Sequence, residues 1–278
     1  MTLLSVDGTN AIHRAHHAVK YMEHRGTPTN AIIGFFAILN SNLRLTSAKN
    51  CLVTFDRSGG QNFRQKLHPA YKGTRDKDPV KSAALAAQVP IICALLEATG
   101  ISFVGKKDIE ADDIIGSTAV NYPDGIAHIL SGDKDFAQEL KHKHVRLINP
   151  NKKIIVSYKN CKEVYGVEPK YMIDYLMLDG DKIDNIDGIP GIGHKTAVKL
   201  IEEFGKAENI PIDRFPKGAQ KTVNIPKLLK LNRQLVTIRS DLYDANTELD
   251  LSISKMDVKE FTKICERYRL NSLLKSIR

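Results

Sequence analysis

The sequence predicts an α/β fold: a central, mostly parallel sheet with helices on both faces, and a C-terminal helical region. Two observations carry this expectation. Short apolar runs alternate with helical stretches through the N-terminal half, the pattern of parallel strands joined by crossover helices, and each run leads into acidic residues. Further on, Gly188, Gly191 and Gly193 stand just before an amphipathic stretch, as a tight turn feeding a helix would.

The elements follow in order. "TLLSVD" is a buried-type strand running into Asp7, and "GTNAIHRAHHAV" reads as the helix after it. A second helix, "NAIIGFFAILNSNLRL", precedes the strand "CLVTFD", which ends at Asp56. Residues 57 to about 79, with Pro69, Gly73 and Pro79, read as an irregular insertion, and the helix "VKSAALAAQVPIICALLEATG" is expected to kink or restart at Pro90. "ISFVG" leads to Glu110, Asp112 and Asp113, where acids suit the first turn of a helix. "GIAHILSGDKD" is a strand reaching Asp133 and Asp135, and Asp181 and Asp184 lie one helical turn apart. In such sheets ligands bind beyond the carboxyl ends of the strands, where Asp7, Asp56 and Asp133 all fall.

Any one of these acids is explained as a helix cap or turn residue, and "DGTN" is good turn chemistry. Their collection at one edge is a different matter, because two like charges about 4 Å apart repel by ~4 kcal/mol at an effective dielectric near 20. A shared pocket of carboxylates must bind hard cations or shift its pKa values strongly. Ligation by oxygen alone suits Mg²⁺ or Mn²⁺, and no acid or cysteine completes a zinc set around His13, His16 and His17. There is no phosphate-loop motif, and carboxylates able to hold two cations fit two-metal phosphodiester hydrolysis.

Charge names the partner class. The formal net charge is +9, from 41 Lys plus Arg against 32 Asp plus Glu, which favours a polyanion. Residues 57–75 hold five basic residues and no acid, with Tyr71 beside Lys72, so an aromatic among cations can stack on a base while they hold phosphates. From Gly191 to Arg239 there are ten Lys/Arg and four Asp/Glu, next to glycines whose backbone N–H groups can approach a phosphate, with Lys195 and Thr196 in support. No apolar run approaches a membrane span, no secretory leader precedes "TLLSVDG", and four scattered cysteines without a CxxC fit a reducing cytoplasm.

In order along the chain, "VDGTN", "FRQKLHPAYKGTR", "IEADDIIG", "SGDKDFAQ" and "GDKIDNIDGIPGIGHKTA" resemble the motifs of the structure-specific 5′ nucleases, the family of phage 5′ exonucleases and flap endonucleases. The chain is especially similar to the 5′-nuclease domain of bacterial type I DNA polymerases, from residue 1 to about 250. The resemblance implies two metal clusters, one from Asp7, Asp56, Glu110, Asp112 and Asp113 and one from Asp133, Asp135, Asp181 and Asp184. It implies a catalytic basic pair in Lys72 and Arg75 below an arch spanning about 57–95, with Asp112 central to catalysis and Arg64 and Tyr71 among the DNA contacts. It also implies a duplex grip at 186–202 through Gly188, Gly191, Gly193, Lys195 and Thr196, with K⁺ on its carbonyls. The expected layout is a nuclease core over 1–175 and a helical DNA-binding region over 176–278, in a monomer that acts on branched or 5′-flap DNA and RNA–DNA hybrid, away from membranes.

Two departures stand out: Asp187 replaces the proline usual in the polymerase domains, and His194 fills a variable position. No polymerase domain follows, so a stand-alone nuclease is expected, releasing 5′-phosphate and 3′-hydroxyl ends. Two rivals are a related metal-dependent ribonuclease, which would lack the glycine hairpin and basic arch, and a DNA-binding relative that has lost catalysis. Loss of a key acid would support the second, but all nine positions are filled.

Overall fold

Six strands form the central sheet: β1 (Thr2–Asp7), β4 (Asn50–Thr54), β5 (Ser102–Val104), β6 (Ile126–Leu130), β7 (Val145–Asn149) and β8 (Ile154–Val156). Their order is β5-β4-β1-β6-β7-β8, parallel throughout except for β8, which pairs antiparallel with β7 at the edge. Two-residue ladders complete the strand set, β2 (Glu23–His24) with β3 (Thr27–Pro28) and β9 (Gly180–Asp181) with β10 (Ile186–Asp187). This computed structural model describes residues 1–57, 61–73, 78–123, 125–242 and 250–276. The mostly parallel sheet expected from the sequence is present. β7 and β8 were not anticipated, because "VRLIN" and "IIV" are too short to declare a period.

Burial on both faces explains the near-continuous apolar character of β1. Leu3 joins the apolar cluster on one face with Ile114, Ile129 and Leu147, while Leu4 and Val6 join the other with Phe35, Val53 and Leu96. Helix α1 (Gly8–Ala18) packs on α2 (Asn30–Thr46), and α4 (Pro79–Ala98) covers the same face. Helix α5 (Ala111–Val120) covers the opposite one.

Of the kink or restart expected at Pro90, the restart does not occur: α4 is one helix with Pro90 inside it. It is also long and apolar enough to cross a bilayer by length and composition alone, a feature the sequence reading missed because Lys81, Ser82 and Gln88 interrupt its apolar run. Its C-terminal half packs Ile91, Ile92, Leu95 and Leu96 into the core. The insertion before it is not wholly irregular, since α3 (Phe63–Leu67) opens with a reciprocal Asn62–Gln65 capping box.

The division at residue 175 does not match the packing. Helices α6 (Cys161–Tyr165), α7 (Met172–Asp179), α8 (His194–Phe204), α9 (Lys217–Thr222) and α10 (Ile225–Val236) place Cys161, Leu176, Leu200, Ala219 and Leu229 in the same apolar cluster as the sheet residues Leu3 and Leu52. The end of the chain then returns to the sheet. Cys51 N–H donates to Leu251 C=O at 2.8 Å and Ile253 N–H to Lys49 C=O at 3.1 Å. Helices α11 (Val258–Arg267) and α12 (Asn271–Lys275) bury Phe261, Cys265 and Leu273 against the face that holds α2 and α4. Residues 250–276 therefore belong to the sheet unit and not to the DNA-binding region expected over 176–278.

Candidate active site

The strand order makes the carboxyl ends of β4, β1 and β6 neighbours, and the acids beyond them, Asp56, Asp7 and Asp133, gather at one edge. Asp7 caps α1: its Oδ1 accepts from Asn10 N–H and its Oδ2 from Ser131 Oγ–H, both at 2.8 Å. Asp56 Oδ1 accepts from Ala111 N–H at 3.0 Å, fixing the start of α5. Glu110 is the N-cap residue of α5, and Asp112 and Asp113 occupy its first turn, as expected. Asp133 Oδ1 accepts from Asp135 N–H at 2.9 Å, in the loop that follows β6. Asp181 and Asp184 are not on a helix. Asp181 ends β9 and Asp184 lies in the turn that leads to β10, where Asp181 Oδ1 accepts from Ile183 N–H at 2.8 Å.

Five separate segments thus converge, and the electrostatics record it. Burial pushes the Asp7 carboxyl up to about 7; its hydrogen bonds from Asn10 and Ser131 pull it down, and Asp56 and Asp133 add to the rise. Asp112 is raised well above the carboxylate range by burial first, then by Asp7 and Asp133. Asp135 is raised well above its ordinary value by burial and then by Asp133 and Asp181, and Asp133 itself rises through burial, Asp184 and Asp181. A cleft of about 630 Å³ opens over this edge, lined by Asp133, Lys134, Asp179, Asp181 and Asp184 among others. Among the described residues no three acids or histidines close on one point as a finished ligand set. Two lysines lie among the acids instead: Lys72 Nζ pairs with Glu110 and is 3.9 Å from Asp184, and Lys134 Nζ is 3.5 Å from Asp181.

Lys72 reaches this position through a left-handed backbone (φ +56°), uncommon for a side-chain-bearing residue. Two bonds hold the strained turn, Lys72 N–H to Asp184 C=O at 2.8 Å and Asn185 Nδ2–H to Ala70 C=O at 2.9 Å. Tyr71 differs from expectation. It is 5% exposed, and its hydroxyl lies 3.3 Å from both Glu110 oxygens and 3.4 Å from Asp184 Oδ2, so its ring has no free face for a base. Arg75 lies outside the described residues, as do 58–60 and the rest of 74–77.

Arg64 and Asp113 are the clearest corrections. Arg64 is 3% exposed and makes five hydrogen bonds: Nε–H to Leu235 C=O (2.8 Å), Nη2–H to Thr237 C=O (2.6 Å) and to Asp113 Oδ1 (2.7 Å), and Nη1–H to Asp113 Oδ2 (2.8 Å) and to Glu110. Burial disfavours its charge, yet the Asp113 bonds and the charges of Asp113 and Glu110 outweigh that and raise its pKa further. Arg64 is an interior tie between α3, α5 and the end of α10, not a DNA contact. Asp113, engaged by it and by Arg239 N–H at 2.9 Å, is drawn away from the carboxylate cleft.

Behind the cleft, the 3₁₀ helix Asp135–Lys141 buries Glu139 completely, with no hydrogen bond to either carboxylate oxygen and with Lys141 and His142 3.8 Å away. Burial pushes it from 4.5 up to about 7, partly offset by Lys141. An acid raised in the folded state lends stability that is full below pH 4.5 and lost as pH rises through about 7. At 1.36 kcal/mol per unit the loss has a ceiling of roughly 3 kcal/mol. Glu139→Gln is therefore expected to raise the melting temperature in EDTA at pH 8 by more than at pH 4.5, and an equal change at both pH values would show that Glu139 does not titrate there.

In the glycine hairpin the three glycines have different reasons. A Cβ on Gly188 would lie 2.4 Å from Asp179 C=O, so this glycine serves the packing of the turn on α7. Gly191 needs its left-handed φ of +81°. Gly193, the N-cap residue of α8, is open on its Cβ side and exposed, with Lys195 and Thr196 exposed beside it. The sequence reading passed over Ser131, Lys134 and Asn185. Ser131 and Lys134 stand inside "SGDKD" and Asn185 inside "GDKIDNIDGIPGIGHKTA", but their roles come from long-range contacts that the motifs do not display.

The family model described as the N-terminal, resolvase-like domain of 5′-3′ exonuclease matches residues 2–166, and that described as its C-terminal SAM fold matches 167–263. The 5′-3′ exonuclease of Aquifex aeolicus is 32% identical over 285 residues, covering 99% of this chain and 95% of that protein. DNA polymerase I of Bacillus subtilis is 34% identical over 271 residues, 94% of this chain but 30% of the polymerase. A structure of the T5 5′-exonuclease with bound zinc superposes with a TM-score of 0.70 at 25% identity, covering 96% of this chain and 99% of that one. With both halves matched in order, the chain belongs to the 5′-3′ exonuclease family of structure-specific 5′ nucleases, and it is a phosphodiester hydrolase.

Proposed function

We propose that this nuclease acts as a 5′-3′ exonuclease and flap endonuclease on branched duplex DNA and RNA–DNA hybrid, removing 5′ flaps and RNA primers in replication and repair. The observation that carries the reading is the convergence of eight carboxylates from five segments on one sheet edge, with four of them raised by burial and by one another. The donor set fits hard divalent cations: it is all oxygen, and Asp135 Oδ1 is buried without a hydrogen-bond partner. Asp7, Asp56, Glu110, Asp112, Asp133, Asp135, Asp181 and Asp184 would hold two or more Mg²⁺ or Mn²⁺ ions. Bound there, such ions supply Lewis acidity toward the phosphodiester and lower the pKa of water.

The chain's own groups do the rest. Lys72, fixed by its strained turn, places a cation where charge develops on the scissile phosphate. Glu110 pairs with the lysine and is itself held by the Tyr71 hydroxyl. The exposed backbone and side chains of Gly191, Gly193, Lys195 and Thr196 grip a duplex phosphate, with K⁺ on the hairpin carbonyls, and the basic surface around them supplies salt-dependent affinity. Four free cysteines support a reducing cytoplasm, bacterial or phage-infected, as the site of action of the monomer.

The test is purified protein on a 5′ flap, a nicked duplex and single-stranded DNA, in Mg²⁺ and in EDTA. Cleavage of the flap in Mg²⁺ alone is expected, and binding without cleavage in either condition would convert the reading to a non-catalytic DNA-binding protein. Lys72→Ala should lower the single-turnover rate by about two orders of magnitude while changing flap affinity by less than about threefold, because its charge serves the transition state. An equal loss in rate and affinity would make it an ordinary phosphate contact.

A further inference from the structure

A polar chain links the hairpin helix to the wall of the carboxylate cleft. Tyr175, on α7, is 4% exposed, and its hydroxyl lies 2.7 Å from Asp179 Oδ2 and 2.9 Å from His194 Nδ1. The Tyr175 and His194 rings meet edge-on, with centroids 5.6 Å apart. A phenol has one proton to give, and an ionised carboxylate only accepts. Tyr175 therefore donates to Asp179 and accepts from a protonated His194 Nδ1, which assigns the His194 tautomer. Burial, then the Asp179 bond, raise the phenol above its ordinary pKa, so it remains a donor across the working pH range.

The positions of the three residues give the chain its meaning. Asp179 ends α7 and lines the cleft with Asp181 and Asp184, while His194 begins α8 directly after Gly193. The chain thus joins the two ends of residues 180–193, the segment that holds both the cleft acids Asp181 and Asp184 and the hairpin glycines. The base of that segment is held separately, by the Asp181–Ile186 pairing and by Ile189 N–H to Leu178 C=O at 2.9 Å. Among the described residues no backbone hydrogen bond joins His194, Lys195 or Thr196 to that base; all three are exposed, and burial begins at Ala197.

Resting on the nuclease reading above, we propose that Asp179, Tyr175 and His194 form a positioning relay that sets the distance between the duplex phosphate held at the hairpin and the phosphodiester presented to the carboxylates. The relay sets the register of the cut. His194 and Asp179 are positioning residues, and neither needs to touch the reacting atoms.

The experiment maps products at nucleotide resolution on a 5′ flap in Mg²⁺, with flap affinity measured in Ca²⁺, for the full chain and for Tyr175→Phe, His194→Ala and His194→Asn. Tyr175→Phe and His194→Ala should spread the cut over adjacent phosphodiesters and lower the single-turnover rate about tenfold or more, the scale of a sub-ångström to ångström misplacement. Affinity should change by less than about threefold, under 1 kcal/mol. His194→Asn keeps an N–H donor near the Nδ1 position and should restore a single cut. His194 is exposed, so its two variants carry the test even if Tyr175→Phe folds poorly. A wild-type cutting pattern and rate in His194→Ala overturns the relay, and so does a rate loss matched by an equal loss of affinity. Wild-type protein that fails to cut the flap would instead overturn the nuclease reading, which separates the two failures.

Discussion

Asp112→Asn is expected to reduce Mg²⁺-dependent flap cleavage by at least about two orders of magnitude, the scale seen when one preorganised charge-stabilising group is lost. Asp112 is in the first turn of α5, and its carboxyl is raised by burial and by the fields of Asp7 and Asp133. Removing its charge weakens the donor set for a divalent cation but leaves the hairpin and the basic surface untouched. Flap affinity measured in Ca²⁺ should therefore hold or tighten, since a negative charge has left the DNA-facing cleft. The same substitution should stabilise the metal-free protein. An acid raised in the folded state costs stability as pH climbs above its unfolded value, so at pH 8 the neutral asparagine removes that cost. Near-normal turnover in Mg²⁺ would sink the role assigned to Asp112. A lower melting temperature in EDTA at pH 8 would count against a crowded pocket.

The acids were legible because their signal is local. The strands β1, β4 and β6 are apolar runs of five or six residues that end at the carboxyl edge of the sheet, so Asp7, Asp56 and Asp133 could be placed from the sequence and the topology rule for open sheets. The hairpin glycines were legible for the same reason, as a turn written directly before a helix. What could not be read was the partner of each charge. Nothing in "NFRQKL" distinguishes an arginine that meets DNA from one that reaches Leu235 and Thr237, some 170 residues onward, because the decision lies in how α10 packs. Tyr71 looked like a stacking platform because it lies among cations, yet a phenol that can reach Glu110 and Asp184 is better used inside. Nothing local in residues 250–276 separates them from the helical region expected over 176–278, whereas their apolar residues Phe261, Cys265 and Leu273 pack with α2 and α4 on the sheet.

Arg64→Met is expected to be strongly destabilising. Arg64 uses its full complement of five N–H donors on Asp113, Glu110 and two backbone carbonyls, all away from solvent. Methionine keeps the length of the stem but leaves Asp113 with Arg239 N–H and no cation, while Glu110 retains Lys72 and Tyr71. Removing one partner of a buried ion pair costs about 3–5 kcal/mol, mostly because the surviving charge is orphaned. The urea midpoint of the metal-free protein should fall accordingly, with the slope unchanged if unfolding stays two-state. Arg64→Met combined with Asp113→Asn should recover much of the loss, because no uncompensated charge then remains at that end of the network. DNA binding discriminates the interior role from the surface role that the sequence suggested. A phosphate-contacting arginine would flatten the salt dependence of flap binding by about one unit of slope when removed. An interior tie leaves that slope unchanged, measured below the unfolding midpoint. A stability loss under about 1 kcal/mol together with a flatter slope would return Arg64 to the DNA-binding surface, against the position its guanidinium occupies between α3, α5 and α10.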